Sequence, residues 1–214
     1  MTAEQVKKFH EVGDRLVRKW QQPSGQELIK EGAKIVTHLI ELGPLPPEKG
    51  ALWLPPQDQA TGMVQYFADR DYGLEVNAAG DIVGAGLSLI CDERSAVHIC
   101  EINGRRFYNW CVCDIVMFPM ILGTESPCQT VCPATGETIT FTVTPGGFAK
   151  LSHPDAWFTL APADGGEIRA VYCDRVNIYR DREAAEAAAA LDPAIAAAPI
   201  QELWTDTKKL ASMF

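Results

Sequence analysis

The chain has 214 residues, with 28 acidic side chains against 19 lysines and arginines, for a formal net charge of −9. At 47% hydrophobic and 22% charged its composition is that of an ordinary globular chain. This predicts one domain, or one domain with a small appendage, that needs no disulfide or metal staple to fold. The acidic balance argues against nucleic acid as the main partner, since phosphate affinity comes mainly from Lys and Arg. The longest strongly apolar stretch, residues 115–122, falls far short of the ~20 residues that span a bilayer. Residues 1–20 alternate charged with apolar side chains and show no signal-peptide-like apolar run.

In chain order, Val6, Phe9, Leu16, Val17 and Trp20 fall near helical spacing and predict an amphipathic helix over 3–20. A second helix is expected over 27–42, stopped by Gly43-Pro44. Four prolines in 45–56 keep that stretch irregular, and a short helix follows near 57–67. From Tyr72 the pattern turns to alternation. Strands are expected over 82–90 and 96–102, with Asn103-Gly104 as a hairpin turn into 105–108. Residues 110–122 read as a buried helix that Pro119 should kink or shorten. A hairpin is expected through Thr130, Val131 and 138–143, and further strands over 156–160 and 168–179. The Ala-rich segment 182–198 reads as helix until Asp192-Pro193, and 201–213 closes the chain as a helix. The sum is an α+β chain: a helical unit at 1–70 and an antiparallel, cysteine-bearing core at 71–214 with flanking helices.

Seven cysteines are present: Cys91, Cys100, Cys111, Cys113, Cys128, Cys132 and Cys173. An odd number without an export signal points to free thiols in a reducing cytoplasm. There, clustered cysteines are buried hydrophobes, catalytic thiols or soft-metal ligands. The stretch Trp110-Cys111-Val112-Cys113-Asp114 is the most informative. With a helix starting near Trp110, Cys111 and Asp114 lie on one face. A thiol in the first helical turn should be drawn toward thiolate, whereas a carboxyl in an apolar pocket should be pushed toward the protonated acid. The competing reading, about evenly weighted by periodicity alone, has Asp114 capping the helix while both cysteines pack inside.

The run GDIVGAGLSL at 80–89, RRFYNWC-x-x-D at 105–114, FPMILG at 118–123, CPATGETITFTV at 132–143 and IRAVYC at 168–173 together resemble the bacterial organomercurial lyase (alkylmercury lyase) family. The likeness covers roughly residues 72–180 and is weak before them. It implies a degenerate winged-helix-like N-terminal unit, with Cys111 and Cys173 as the catalytic cysteines, Asp114 as the catalytic aspartate and Cys132 as a structural cysteine. The implied reaction is protonolysis of a carbon–mercury bond, R–Hg⁺ plus a proton giving R–H and Hg²⁺. Soft thiolates suit the metal, and the carboxyl suits the proton transfer. The resemblance implies no organic cofactor, Hg²⁺ as bound product held by Cys111, Cys173 and Asp114, and small thiols or mercuric reductase as acceptors.

Cys113 departs from the family, which carries an apolar residue there. Successive helical positions diverge by about 100°, which places Cys113 outside the pocket of Cys111 and favours a buried thiol over a third metal ligand that slows product release. The main alternative is a non-catalytic soft-metal protein using Cys111, Cys113, Cys128 and Cys132, although C-x-C on a helix fits structural zinc poorly. A metal-sensing regulator would need Lys7, Lys8, Arg15, Arg18 and Lys19 to meet DNA; a solvated helix face explains that cluster more simply. Cys91 and Cys100 are expected to face each other across the sheet. The four histidines show no ligand spacing.

Overall fold

The structure, a computed structural model, describes residues 1–92 and 96–213. Thr2 opens helix α1 (Ala3–Gln21) through a reciprocal capping box with Gln5, and α1 buries Phe9, Val12 and Leu16. Helix α2 (Pro23–Leu42) follows almost at once, with proline in its first turn where no N–H is needed. The two helices cross closely where Gly25 meets Trp20; a Cβ there would lie 2.5 Å from the Lys19 carbonyl oxygen. Short helices α3 (Pro47–Ala51) and α4 (Met63–Ala68) complete the helical N-terminal stretch. The helix expected near 57–67 thus begins later, after Gly62.

The remaining elements are strands β1 (Glu75–Val76), β2 (Ile82–Ala85), β3 (Leu87–Ser88), β4 (Ile99–Ile102) and β5 (Arg105–Asn109), helix α5 (Val112–Leu122), and strands β6 (Ser126–Val131), β7 (Thr138–Thr144), β8 (Gly147–Ala149) and β9 (Trp157–Leu160). Then come α6 (Ile168–Val171), a 3-10 turn (Cys173–Arg175), β10 (Ile178–Tyr179), α7 (Arg182–Ala190), β11 (Ala196–Pro199) and α8 (Ile200–Ala211). Among the described residues the strands form two sheets, an eight-stranded one ordered β1-β2-β3-β5-β4-β6-β7-β8 and a three-stranded one ordered β10-β9-β11. Every pairing is antiparallel. The mixed helix and antiparallel-sheet class expected from the sequence is therefore the one observed. One buried apolar cluster runs from Phe9 and Leu39 through Phe107 and Ile115 to Phe158 and Leu203. No helix of the described residues is long and apolar enough to cross a membrane.

Three differences from the sequence reading bear on the site. The strand expected over 82–90 is broken at Gly86, whose φ of +82° turns β2 back into β3. The strand expected over 168–179 is instead α6, the 3-10 turn and only two residues of β10. Its β-branched residues suggested extension, but the Glu167 carboxylate caps α6 by accepting from the Ala170 N–H, and Ile168 N–H bonds the Asp71 carbonyl. After Asp192-Pro193 the alanines form β11, where small side chains fit between β9 and α1.

Pro119 neither ends nor shortens α5. Proline cannot donate to the carbonyl four residues back, which frees the oxygen of Ile115. The Cys128 thiol on β6 donates to that oxygen at 3.3 Å. This explains how an interior proline is accommodated and gives Cys128 a structural task. Cys128 sits opposite Cys100 across the β4–β6 pair, so Cys100 faces Cys128; Cys91 is exposed and outside the named strands.

Candidate active site

Strand β5 delivers the chain to the site. The Trp110 N–H bonds the Gly86 carbonyl at 2.8 Å, anchoring the exit of β5 against the β2–β3 turn. Cys111 follows in extended conformation (φ −150°, ψ 173°) as the N-cap of α5, and Asp114 is the third residue of that helix. Asp114 Oδ2 accepts from the Cys111 N–H at 3.2 Å and from the Cys111 thiol at 3.4 Å. The carboxylate thus satisfies a donor that an open helix end leaves unpaired.

Cys173, at the start of the 3-10 turn after α6, completes the group. One donor atom from each of Cys111, Asp114 and Cys173 lies within 4.8 Å of the others. The three residues are buried at 1%, 8% and 4% exposure. Among the described residues this is the group of His, Cys, Asp and Glu side chains with metal-holding geometry, and Cys128 and Cys132 are not part of it. Residues separated by about sixty positions meet here because α6 and its turn pack against the start of α5.

A cavity of about 80 Å³ opens onto Asp114 and Cys173 of the group. Its floor includes Cys113, Asp114, Cys173, Tyr72 and Tyr172; its cover is Leu16 and Trp20 of α1 with Leu28, Ile29, Gly32 and Val36 of α2. The N-terminal helices therefore wall the pocket. Lining is overwhelmingly apolar, so charge on any group facing it is disfavoured.

The electrostatics follow from that burial. Burial raises Asp114 to about 6; the two hydrogen bonds from Cys111 and the positive charge of Arg169 hold it from rising further. Burial also pushes the Cys111 thiol well above its ordinary value. This corrects the expectation of a thiol drawn toward thiolate by the helix start: loss of solvent outweighs the helix dipole at a fully buried N-cap. For Cys173, interaction with the Cys111 thiol pulls downward, but burial and the Asp114 charge leave it raised overall. Burial thus keeps the thiols protonated and sets the carboxyl near 6.

Cys113 also departs from expectation. It lines the cavity, its thiol is 3.0 Å from the Tyr172 hydroxyl, and it interacts with the Cys111 thiol. The 100° rule fails because Cys111 is extended rather than helical, so the two thiols are not set by helical divergence.

Sequence reasoning did not single out Gly86, Glu75, Tyr72, Arg169 or Tyr172. Arg169, buried on α6, pairs with Glu75 at 2.8 Å and Asp92 at 2.9 Å and lies 5.3 Å from the Trp110 ring centroid. Glu75 also accepts from the Trp110 indole N–H at 2.9 Å. The segment IRAVYC carries Arg169, Tyr172 and Cys173 together, which was the available signal. Among the scattered histidines, buried His98 is pushed down to about 4 and bonds Thr130, a structural role. On α1, Arg15 pairs with Asp164 and Lys19 donates to the Ala163 carbonyl, so part of the basic face is engaged within the fold.

Comparison with known proteins identifies the family. The alkylmercury lyase family model matches residues 93–212, more than half of the chain and inclusive of all three clustered side chains. The chain belongs to the alkylmercury lyase family. Among relatives, the alkylmercury lyase of Pseudomonas putida is 33% identical over 130 residues, covering 60% of this chain and 59% of that protein. The alkylmercury lyase of Bacillus cereus is 30% identical over 114 residues, covering 53% of this chain and 50% of that protein. The chain thus spans between half and three-fifths of the length of these curated relatives. The crystal structure of the mercury-bound form of MerB2 superposes with a TM-score of 0.74 over 97% of this chain and 98% of that one, at 18% identity. At that identity the likeness speaks for the fold, and it extends through the N-terminal helices that lie before the residues the family model matches.

Proposed function

We propose that the protein is an organomercurial lyase that cleaves carbon–mercury bonds by protonolysis. The observation that carries this reading is a buried cluster of two thiols and one carboxyl, all within 4.8 Å, opening onto an apolar cavity. Thiols are the protein ligands that a soft metal prefers, and the cavity suits the organic group attached to it.

The chemistry begins with Asp114 ionised and both thiols protonated. As an organomercury cation enters, the Cys111 S–H bond breaks, its sulfur bonds mercury and Asp114 takes the proton across the 3.4 Å contact. Asp114 then delivers that proton to the mercury-bound carbon. The carbon–mercury bond breaks, R–H leaves, and Cys173 bonds the metal as its own proton passes to the Asp114 carboxylate and on to solvent. The balance is R–Hg⁺ plus two thiols giving R–H, a mercury bis-thiolate and one proton. The Cys111 thiolate on mercury makes the attached carbon more basic, so the sulfur–mercury bond and the proton transfer reinforce each other. The carboxyl near 6 suits a group that must both accept and give a proton around neutrality.

On this reading no organic cofactor takes part, Hg²⁺ is the bound product, and small thiols or mercuric reductase receive it in the cytoplasm. Residues 1–70 form the cover that selects the organic group; their winged-helix-like ancestry, and a division from 71–214, belong to the same proposal. Cys132, fully buried, serves structure.

The test is benzene release from phenylmercury by the reduced protein with excess small thiol. Many turnovers, lost in Cys111→Ser and in Cys173→Ser, support the lyase. Stoichiometric mercury uptake without benzene would make the site a metal trap or sensor.

A further inference from the structure

Helix α2 covers the cavity with Leu28, Gly32 and Val36, which follow one another at four-residue spacing along one helix face. Leu28 and Val36 are buried, and Gly32 between them leaves a notch in the cover. No backbone need explains this glycine. It sits in the middle of a regular helix, where glycine is less favourable than alanine. Among the described residues, a Cβ there would meet only Phe67 Cε1, at 4.0 Å, an ordinary contact. Gly25 of the same helix differs, because the nearby Lys19 carbonyl leaves no room for a side chain. Leu28 and Val36 both reach the cavity from this face, so a side chain at position 32 would enter it too.

The cavity floor carries Asp114 and Cys173, and its cover includes this face of α2. An organic group on a metal held by those side chains extends toward the notch. The cavity's volume, about 80 Å³, is small beside the roughly 150 Å³ of an apolar cavity that takes up benzene. A ring has no room to spare there, whereas a methyl group has. We propose that Gly32 is a specificity-determining residue. Its missing side chain admits the wider organic groups, aryl and longer alkyl, and bulk at this one position sets the largest group that can accompany mercury to the thiols. The inference deepens the lyase reading and rests on it for the occupant, an organomercury cation.

The test compares the rates of mercury uptake from methylmercury and from phenylmercury by the reduced full chain, by Gly32→Ala and by Gly32→Leu. Release of methane or benzene is recorded in the same samples. Relative to methylmercury, phenylmercury uptake should fall severalfold in Gly32→Ala and at least about tenfold in Gly32→Leu, the scale on which apolar pockets discriminate by size. Gly32→Ala should hold or raise the thermal midpoint, since alanine favours the helix, and it carries the test should leucine disturb packing. An unchanged uptake ratio in both variants overturns the proposal; joined to a lowered midpoint in Gly32→Ala, it would assign the glycine to packing instead. Uptake is read apart from cleavage, so the ratio decides the role of Gly32 whether or not hydrocarbon is released. Absent hydrocarbon in the parent chain would count against the lyase reading alone.

Discussion

Asp114 Oδ2 accepts both the N–H and the thiol of Cys111, at 3.2 and 3.4 Å. One oxygen thus caps the helix that carries it and addresses the proton of the sulfur beside it. Capping and acid–base readings, which compete when only the sequence is known, describe the same geometry.

The arrangement makes stability depend on pH. Asp114 titrates near 6 in the fold against 3.8 when solvated, so the fold favours its protonated form. That contribution is complete below 3.8 and is lost as pH rises through about 6, amounting to about 3 kcal/mol at most. Asp114→Asn removes the buried charge while keeping an oxygen for the Cys111 N–H. Denaturant unfolding should find this variant about 1–3 kcal/mol more stable than the parent at pH 8, the gap closing by pH 4. A constant difference across that range would show that the carboxyl is not held up by burial.

A second consequence concerns rate. Substrate capture needs ionised Asp114, so kcat/KM should climb about tenfold per pH unit and level off near 6. Arg169 lowers the carboxyl through its charge. Replacing it in Arg169→Gln should move this limb to higher pH, while Arg169→Lys should leave it nearer the parent's position. The pH profile distinguishes this from mere loss of the Glu75 pair, which would scale the rate without moving the limb.

Gly86 offers a test of the scaffold. Its φ is +82°, and a Cβ would meet Phe118 Cζ at 3.1 Å, Tyr72 Oη at 3.4 Å and Asp114 Cγ at 3.5 Å. Gly86→Ala should cost about 1–3 kcal/mol of stability by chemical denaturation and slow cleavage by displacing Asp114. Unchanged stability would mean that the β2–β3 turn relaxes freely.

Much of this architecture is legible in the residue pattern. The amphipathic α1, the Asn103-Gly104 hairpin and the apolar α5 follow from local periodicity and turn chemistry. The order of short motifs around Cys111 and Cys173 identifies the pair that the fold brings together. What escapes is set by tertiary contact. Ile168 and Val171 favour extension, yet the Glu167 cap and the Asp71 carbonyl wind them into α6. Pro119 signals a kink, but nothing local announces that Cys128 will take up the freed carbonyl. Dipole reasoning at Cys111 errs because it assumes a solvated helix end, and burial reverses the direction. The cover formed by Trp20 and Ile29 cannot be read from a segment whose motifs match nothing local to the site.

The central claim is that Asp114 gives its proton to carbon, and single-turnover cleavage tests it most directly. Phenylmercury is mixed with excess reduced Asp114→Asn protein, and bound mercury and released benzene are followed together. Mercury should still bind stoichiometrically through Cys111, more slowly because the thiol proton must leave to the buffer, while benzene release falls by at least about a hundredfold. Release at the parent rate would contradict the account, because the proton would then reach carbon by another route.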